Sequence, residues 1–475
     1  MKVLFVVWEL APFFQVGGLG DVARSLPKSL YSENIDIKVI LPYYRSLKLH
    51  RLRKKLVNKI SIVFNKKKET VSVYQIHFIN SDLPIYLVKN ENFLDLPNID
   101  LFSFFDLAII EILKKNTLSW QPQIIHCNDS HGGLIPLLIK HQNLPFKTIL
   151  TIHNLTHQGK IPISSIEKIG FPIEKCRVVK WEIQRRQINR LLEGITHADL
   201  INTVSPSYAK EIMTEEYGAG LEDILKNERQ KIYGILNGID NDSRSPLKND
   251  DISAPFSVEK PTGDYGYGIF SPFEGKKRNK KSLQEKLGLT QSDKLPLIAF
   301  IGRFDSKQKG IELIHKMIRR INLNKFQFVI LGQGESEWEE RFNWLASFYQ
   351  KSVAYVSIFD SRLASQIYAG ADFILIPSKF EPCGLIQMIA MRYGTLPIAR
   401  ATGGLKDSIK NGVDGFLFNK YTSNDLEKTL KKAVDIMNND RSRFKKMVLA
   451  AMTKNFSWEK SAQEYIKLYN KLLDD

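Results

Sequence analysis

The sequence predicts an α/β fold of two domains, each an open, mostly parallel sheet with helices on its faces, and three observations carry that prediction. At 475 residues the chain exceeds what one hydrophobic core organises, so two domains of roughly 200 to 250 residues are expected. Apolar runs of strand length alternate with stretches of helical period through most of the chain, which is the pattern of a doubly wound sheet. Several of those runs end in glycine-marked turns that open helices, at residues 15–21, 302–310 and 402–404. Open α/β sheets bind ligands at the carboxyl ends of their strands, and a glycine there lets backbone amides approach an anion.

In the N-terminal half, residues 2–7 read as the first strand, because Glu9 interrupts the apolar run too early for a signal peptide. The turn WELAPFFQVGGLGD over 8–21 leads into a helix with Val22, Leu26 and Leu30 on one face. Strands are expected at 36–41, 71–78 and 84–88, with a lysine-rich hairpin between the first two and a helix over 102–114. The strand ending in IIHCNDSH at 124–131 feeds a helix over 132–141, and the strand 147–152 runs into HNLTHQG at 153–159. Residues 183–195 read as a helix, 198–204 as a strand and 210–217 as the next helix, with the Ser-Pro pair at 205–206 as helix-entry chemistry. Residues 249–281, rich in Asn, Pro, Gly and Lys, read as the crossing between domains plus a mobile surface loop.

The second domain's strands are expected at 296–301, 326–331, 353–358, 372–376 and 396–399. The first of these runs into GRFDSKQKG at 302–310, a glycine-bounded turn that carries one arginine and two lysines. The run 373–376 delivers Glu381, and the strand 396–399 ends in Thr402-Gly403-Gly404, whose backbone amides are expected to face an anion. A glutamate after a strand is by itself more often a solvated loop charge. Two such turns side by side suggest a phosphorylated ligand. At the end of the chain, Ala462, Tyr465, Ile466, Tyr469 and Leu472 form one face of a helix, read as a packing stripe.

The late stretch resembles the donor-sugar site of the bacterial glycogen synthases and plant starch synthases, retaining glucosyltransferases of the GT-B type. FEPCGL at 380–385, MRYGTLPI at 391–398 and TGGL at 402–405 fall in the family's order and spacing, and TVSPSY at 203–208 and GILNGID at 234–240 extend the match. The resemblance implies a GT-B architecture, with two Rossmann-like domains facing each other across a deep cleft. It divides the chain into an acceptor-binding domain over 1–240, a nucleotide-sugar-binding domain over 241–455 and a helix over 456–475 that crosses back to the first domain. It also implies transfer of glucose from ADP-glucose to the non-reducing end of an α-1,4-glucan, with no metal and no cofactor. His153, Glu381, Arg303 and Lys309 are then the catalytic candidates, with Lys307 as the fallback lysine, and the resemblance places the guanidinium and the ammonium on the donor's pyrophosphate, as a bidentate fork and a point charge. Gln15, Gly17, Gly18, Asp21, Asp129, Asn154, Cys383, Gly384, Leu385, Thr402, Gly403 and Gly404 are the substrate-binding ones. Asp21 and Asp129 each have a second reading, as carboxylates at a helix start.

Several positions depart from the family pattern. Gln15 stands where a lysine contacts the donor's phosphate side, Leu101 where an arginine is usual, and Ser130 in place of the tryptophan of an Asp-Trp-His triplet. Arg244 replaces a tryptophan and His157 an aromatic residue, whereas Ile389, where many related two-domain glycosyltransferases carry a second glutamate, fits the glycogen synthase branch. Gln15, Leu101 and Ser130 keep open a weakened homologue that binds glucan as a regulatory protein, and a synthase using UDP-glucose or another sugar nucleotide is the second alternative.

Composition narrows the rest. The formal charge of +17 comes from 68 Lys and Arg against 51 Asp and Glu, but the positive runs at 51–55, 66–68 and 276–281 are short and scattered, so solvated lysines are expected and no nucleic-acid partner. No apolar run approaches the roughly 20 residues that span a bilayer, so no membrane partner is expected and the chain reads as cytoplasmic. Cys127, Cys176 and Cys383 form no CxxC pair and read as reduced thiols.

Overall fold

The computed structural model describes residues 1–49, 52–78, 81–177, 185–258, 270–358 and 360–474. Two compact units make up the chain: Met1–Gly238 together with Trp458–Asp475, and Ile239–Ser457.

The first unit is built on a nine-stranded sheet. Its strands are β1 (Lys2–Val6), β2 (Asp36–Pro42), β3 (Lys55–Phe64), β4 (Lys67–Phe78), β5 (Ser81–Lys89), β6 (Ile124–Asn128), β7 (Lys147–Ile152), β10 (Leu200–Thr203) and β11 (Ile232–Gly234), while β8 (Lys160–Pro162) and β9 (Gln187–Asn189) form a separate ribbon. The order is β11-β10-β7-β6-β1-β2-β5-β4-β3, parallel except at β3–β4 and β4–β5. β1 is apolar after Lys2 and buried because strands and helices enclose it on every side. The helix Trp458–Asp474 belongs to this unit: Asn202 Nδ2 donates to the Tyr465 hydroxyl at 2.8 Å, and the Tyr469 hydroxyl lies 2.6 Å from His126 Nδ1. Its stripe is buried at Ala462, Tyr465, Tyr469 and Leu472, with Leu468 joining it and Ile466 at its margin.

Four local expectations change. The lysine-rich hairpin holds a full strand, β3, in which Ile60, Ile62 and Phe64 are buried between exposed Lys59, Ser61 and Val63. Residues 178–184 lie outside the described residues, and the expected helix over 183–195 gives way to β9 and then the helix Arg190–His197, because the Asn189 side chain caps the latter by accepting from Leu192 N at 3.1 Å. The helix expected over 210–217 starts earlier, as Pro206–Glu211, with Ser205 Oγ accepting from Tyr208 N at 3.2 Å. Within 249–281, where 259–269 lie outside the described residues, Pro272 starts a helix that runs to Lys286, and Ser271 caps it. Its polar, lysine-rich sequence hides the helical period.

The second unit holds a six-stranded, all-parallel sheet in the order β14-β13-β12-β15-β16-β17. Its strands are β12 (Leu297–Ile301), β13 (Gln327–Leu331), β14 (Val353–Val356), β15 (Phe373–Ile376), β16 (Leu396–Arg400) and β17 (Phe416–Phe418). In each sheet the chain winds outward from a central strand in one direction and later returns to its other side. The strand order therefore reverses between β1 and β6 in one unit and between β12 and β15 in the other. These switch points are where a doubly wound sheet opens a crevice at its carboxyl edge. Among the described residues, no helix is long and apolar enough to cross a membrane.

Candidate active site

In the second unit, the turns after β12, β15 and β16 interlock. Gly310 has φ 66°, and a Cβ there would lie 2.2 Å from the Pro377 carbonyl oxygen, so the β12 turn can touch the β15 turn only through a glycine. Gly403, at φ 43°, presses on the Glu381 carbonyl in the same way, with 2.0 Å to an added Cβ, and Gly404 lies equally close to the Cys383 carbonyl. The Gly404 amide donates to Glu381 O at 3.0 Å and the Thr402 amide to Arg400 O at 2.9 Å. This corrects the expectation that Thr402-Gly403-Gly404 presents its amides outward. Two of the three are committed inside the fold, and the glycines are needed for close packing of the loop that carries Glu381.

That packing brings two of the sequence candidates together. Lys309 Nζ lies 2.8 Å from Glu381 Oε2, which also accepts from Ser378 Oγ at 2.9 Å. The carboxylate side chain is 9% exposed and the lysine 18%, so the pair is largely desolvated and its attraction is stronger than at a surface. Arg303 stands exposed at the end of β12, and Lys307 is exposed on the same turn. Gly384, at φ 74°, and half-buried Leu385 complete the turn into the helix Ile386–Arg392. Cys383 is buried, and Gln387 Nε2 ties the turn by donating to Cys383 O at 3.1 Å and Gly384 O at 2.7 Å.

In the first unit, the turn after β1 is organised by a residue the sequence reading passed over. Glu9, 2% exposed, accepts the amides of Val16 and Gly17 on Oε2. Two amides of the glycine-rich turn therefore already hold a carboxylate. Gly18 has nothing within 4 Å of an added Cβ and leaves open space beside it. Gln15 Nε2 donates to Gly17 O at 3.1 Å and to Asp21 Oδ2 at 3.0 Å, so the residue in place of the family lysine braces the turn and holds Asp21.

Across the switch point, Asp129 is buried, with φ 52°, and its Oδ1 accepts the backbone amides of His153 at 2.7 Å and Asn154 at 3.4 Å. It makes no helix-cap hydrogen bond, so the helix-start reading of Asp129 does not hold: it joins the β6 turn to the β7 turn. Burial raises its carboxyl to about 7, against the pull of those amides and with a smaller push from Glu9. Asn154 folds its own turn, its Oδ1 accepting from Thr156 N and Oγ1. Asn128 Nδ2 donates to Val6 O at 3.0 Å, so the Asn128 oxygen must face His153 Nε2, 2.9 Å away. His153 therefore donates from Nε2 and keeps its lone pair on Nδ1, and burial lowers its pKa to about 3, leaving a neutral ring at pH 7.

Behind these turns lies a buried ion pair that residue patterns could not reveal, since its partners are 84 positions apart. Arg190 Nη2 contacts Asp106 Oδ2 at 2.7 Å and donates to His131 O at 2.8 Å, while Asp106 Oδ2 also accepts from Leu134 N. The guanidinium sits 5.4 Å from the Phe102 ring centroid, next in sequence to the buried Leu101. The His131 ring stacks on Trp8 at 4.3 Å. Among the described residues, no cluster of His, Cys, Asp and Glu could hold a metal ion.

These buried groups set a pH dependence. Burial lowers His126, His131 and His153 from 6.5 to about 3. It raises Asp106 and Asp129 from 3.8 to about 7. Each imidazole contributes stability that is present above its unfolded pKa and lost as pH falls. Each carboxyl contributes stability that is present below its unfolded pKa and lost as pH rises through the folded one. Between about pH 4.5 and 5.5, unfolding takes up nearly three protons and releases nearly two, so from these five groups stability should rise with pH by about 1.4 kcal/mol per unit. Urea denaturation at pH 4.5, 5.0 and 5.5 measures the slope, and a decline with rising pH over that interval would contradict it.

Two doubly wound units, each with charged and polar groups gathered at its switch point, define a glycosyltransferase of the GT-B class. The sequence pattern of the "starch synthase catalytic domain" matches residues 2–227, and that of "glycosyl transferases group 1" matches residues 282–473. The chain is 38% identical to glycogen synthases of Petrotoga mobilis and Thermosipho melanesiensis, with 100% of this chain and 99% of each relative covered. The solved catalytic domain of starch synthase IV from Arabidopsis thaliana, bound to ADP and acarbose, superposes with a TM-score of 0.87 at 29% identity over 100% of this chain and 99% of that one. Sucrose-phosphate synthase from Thermosynechococcus elongatus, at 18% identity and a TM-score of 0.60, shares the fold. The chain belongs to the glycogen synthase family.

Proposed function

We propose that the chain transfers glucose from ADP-glucose to the non-reducing end of an α-1,4-glucan with retention of configuration, and that Lys309, Glu381, Arg303 and His153 carry the reaction. The observation that carries this reading is the desolvated Lys309–Glu381 pair at the β12/β15 switch point, at 2.8 Å. The ADP found in the starch synthase IV structure supports the choice of donor.

As the bond from glucose to the diphosphate breaks, negative charge builds on the phosphate and positive charge on the sugar. Lys309 has three N–H groups, of which Glu381 takes one, so the ammonium can meet the phosphate while the carboxylate holds the glucose. Arg303, exposed on the same turn, adds a planar fork for the second phosphate. The acceptor hydroxyl attacks the face the diphosphate is leaving, and its proton passes to the leaving phosphate oxygen. Neutral His153 accepts a sugar hydroxyl on Nδ1, and Asp129 holds the turn that aims it. Gln15, Gly17, Gly18 and Asp21, on the turn after β1, and Asn154, on the turn after β7, are the first unit's further substrate-binding candidates. Cys383, Gly384, Leu385 and the Thr402-Gly403-Gly404 turn seat Glu381.

The test is release of nucleoside diphosphate from ADP-glucose and from UDP-glucose, with and without glycogen, for the native chain, Glu381→Ala and Gln15→Lys. Glycogen-dependent ADP release is expected, lowered at least about 100-fold by Glu381→Ala. Gln15→Lys should raise donor turnover, by about tenfold if the new ammonium reaches the leaving phosphate. A native chain that binds glycogen yet releases no diphosphate from either donor would refute transferase activity and leave the glucan-binding reading.

A further inference from the structure

We propose that the first unit carries a second binding site, for a phosphate group, in the cavity beside the glycine-rich turn. The cavity, of about 410 Å3, lies at the carboxyl ends of β2 and β5 and is lined by none of the residues assigned to glucosyl transfer. Arg45, Lys54 and Lys89 line it, while buried Leu47 and Tyr44 supply apolar wall.

Its charges do not balance. Arg45 Nε pairs with Asp95 Oδ2 at 3.0 Å, and Lys89 Nζ with Glu91 Oε1 at 2.6 Å. Lys54 Nζ donates to the Tyr43 hydroxyl at 2.9 Å and has no carboxylate partner among the described residues. Three cations therefore face two carboxylates, and Glu91, whose side chain is 70% exposed, can exchange for another anion at little cost. A phosphate offers acceptor oxygens in three directions and up to two negative charges, which suits a lysine, a guanidinium and a second lysine set around one space. The ammoniums of Lys54 and Lys89 already lie 5.6 and 5.8 Å from the Tyr43 ring centroid. That ring is thus occupied by cations, which disfavours a ligand that must stack a base on it and favours inorganic phosphate or a small phosphate monoester.

The cavity is also mechanically joined to the turn that follows β1. The Tyr44 hydroxyl donates to Trp8 O at 3.0 Å, its ring lies 4.9 Å from Phe14, and Lys48 N donates to Phe13 O at 2.9 Å. A phosphate that draws Arg45 and Lys54 together acts on the segment that ends in Gln15, Gly17 and Gly18. Occupancy should therefore change the affinity for the nucleotide sugar, a coupling that rests on the transferase reading.

Calorimetry on the full chain, saturated with ADP to fill the donor site, measures binding of inorganic phosphate and of a hexose monophosphate. Saturable binding is expected, weakened about tenfold or more by Lys54→Glu. Tighter binding of the ester identifies a sugar phosphate as the ligand, and equal binding identifies free phosphate. No binding, or the same affinity in Lys54→Glu, overturns the site. In the activity arm, the ligand should shift the KM for ADP-glucose at least twofold in the native chain and not in Tyr44→Phe. An inactive chain would remove only that arm, because the calorimetric result stands without turnover.

Discussion

Lys309→Ala is expected to lower kcat/KM for the nucleotide sugar by about three orders of magnitude, the scale reached when a preorganised charge at a developing anion is removed. The loss has two parts. The ammonium no longer meets the leaving phosphate, and Glu381, 9% exposed, is left with Ser378 as its remaining side-chain partner. Lys309→Arg should recover part of the rate, since it restores charge but not the compact geometry of an ammonium. Steady-state kinetics with varied donor, beside calorimetric binding of ADP, separate the two parts. An alanine variant within tenfold of the native rate would remove Lys309 from the reaction.

At pH 8, above the raised pKa of Asp106, Arg190→Met should destabilise the first unit by about 3–5 kcal/mol, because it leaves the ionised Asp106 buried without its counter-charge. The His131 carbonyl loses a donor at the same time, so the turn that presents Asp129 should slacken. Pairing Arg190→Met with Asp106→Leu should recover much of the stability, since replacing both members of a buried ion pair with apolar side chains removes the stranded charge. Chemical denaturation of the two variants measures the difference. A single variant within about 1 kcal/mol of the native chain would show the pair to be dispensable.

The fold class was legible because the central strands announce themselves. β12 and β15 consist wholly of apolar residues, as a strand covered on both faces must, and glycine-marked turns follow the strands on both sides of each switch point. β3 was not legible as a strand of its own, since Leu56 and Val63 stand at exposed positions and break the alternation of apolar and polar residues, and Lys55 and Lys59 fall in the stretch read as a lysine-rich hairpin. At the site, the charged candidates Glu381 and Lys309 could be named from their turns, but not that they pair, because 72 residues separate them. Glu9, Asn128, Ser378 and the Arg190–Asp106 pair are local nonentities in the sequence, and their roles arise when distant turns meet. The glycines at 403 and 404 were read as amide donors, and the packing gives them another reason to be glycine: an added Cβ would strike the Glu381 and Cys383 carbonyls.

The helix Trp458–Asp474 has a consequence for the order in which the protein is made. Tyr465 and Tyr469 complete hydrogen bonds to Asn202 and His126 deep in the first unit, yet they follow the entire second unit in the chain. During vectorial synthesis at the ribosome, the first unit emerges early but stays unfinished, with the seats of both tyrosines open, until residues 458–474 have followed the second unit out. The groove that receives Ala462, Tyr465, Tyr469 and Leu472 is thus apolar surface without its cover for as long as the second unit is being translated.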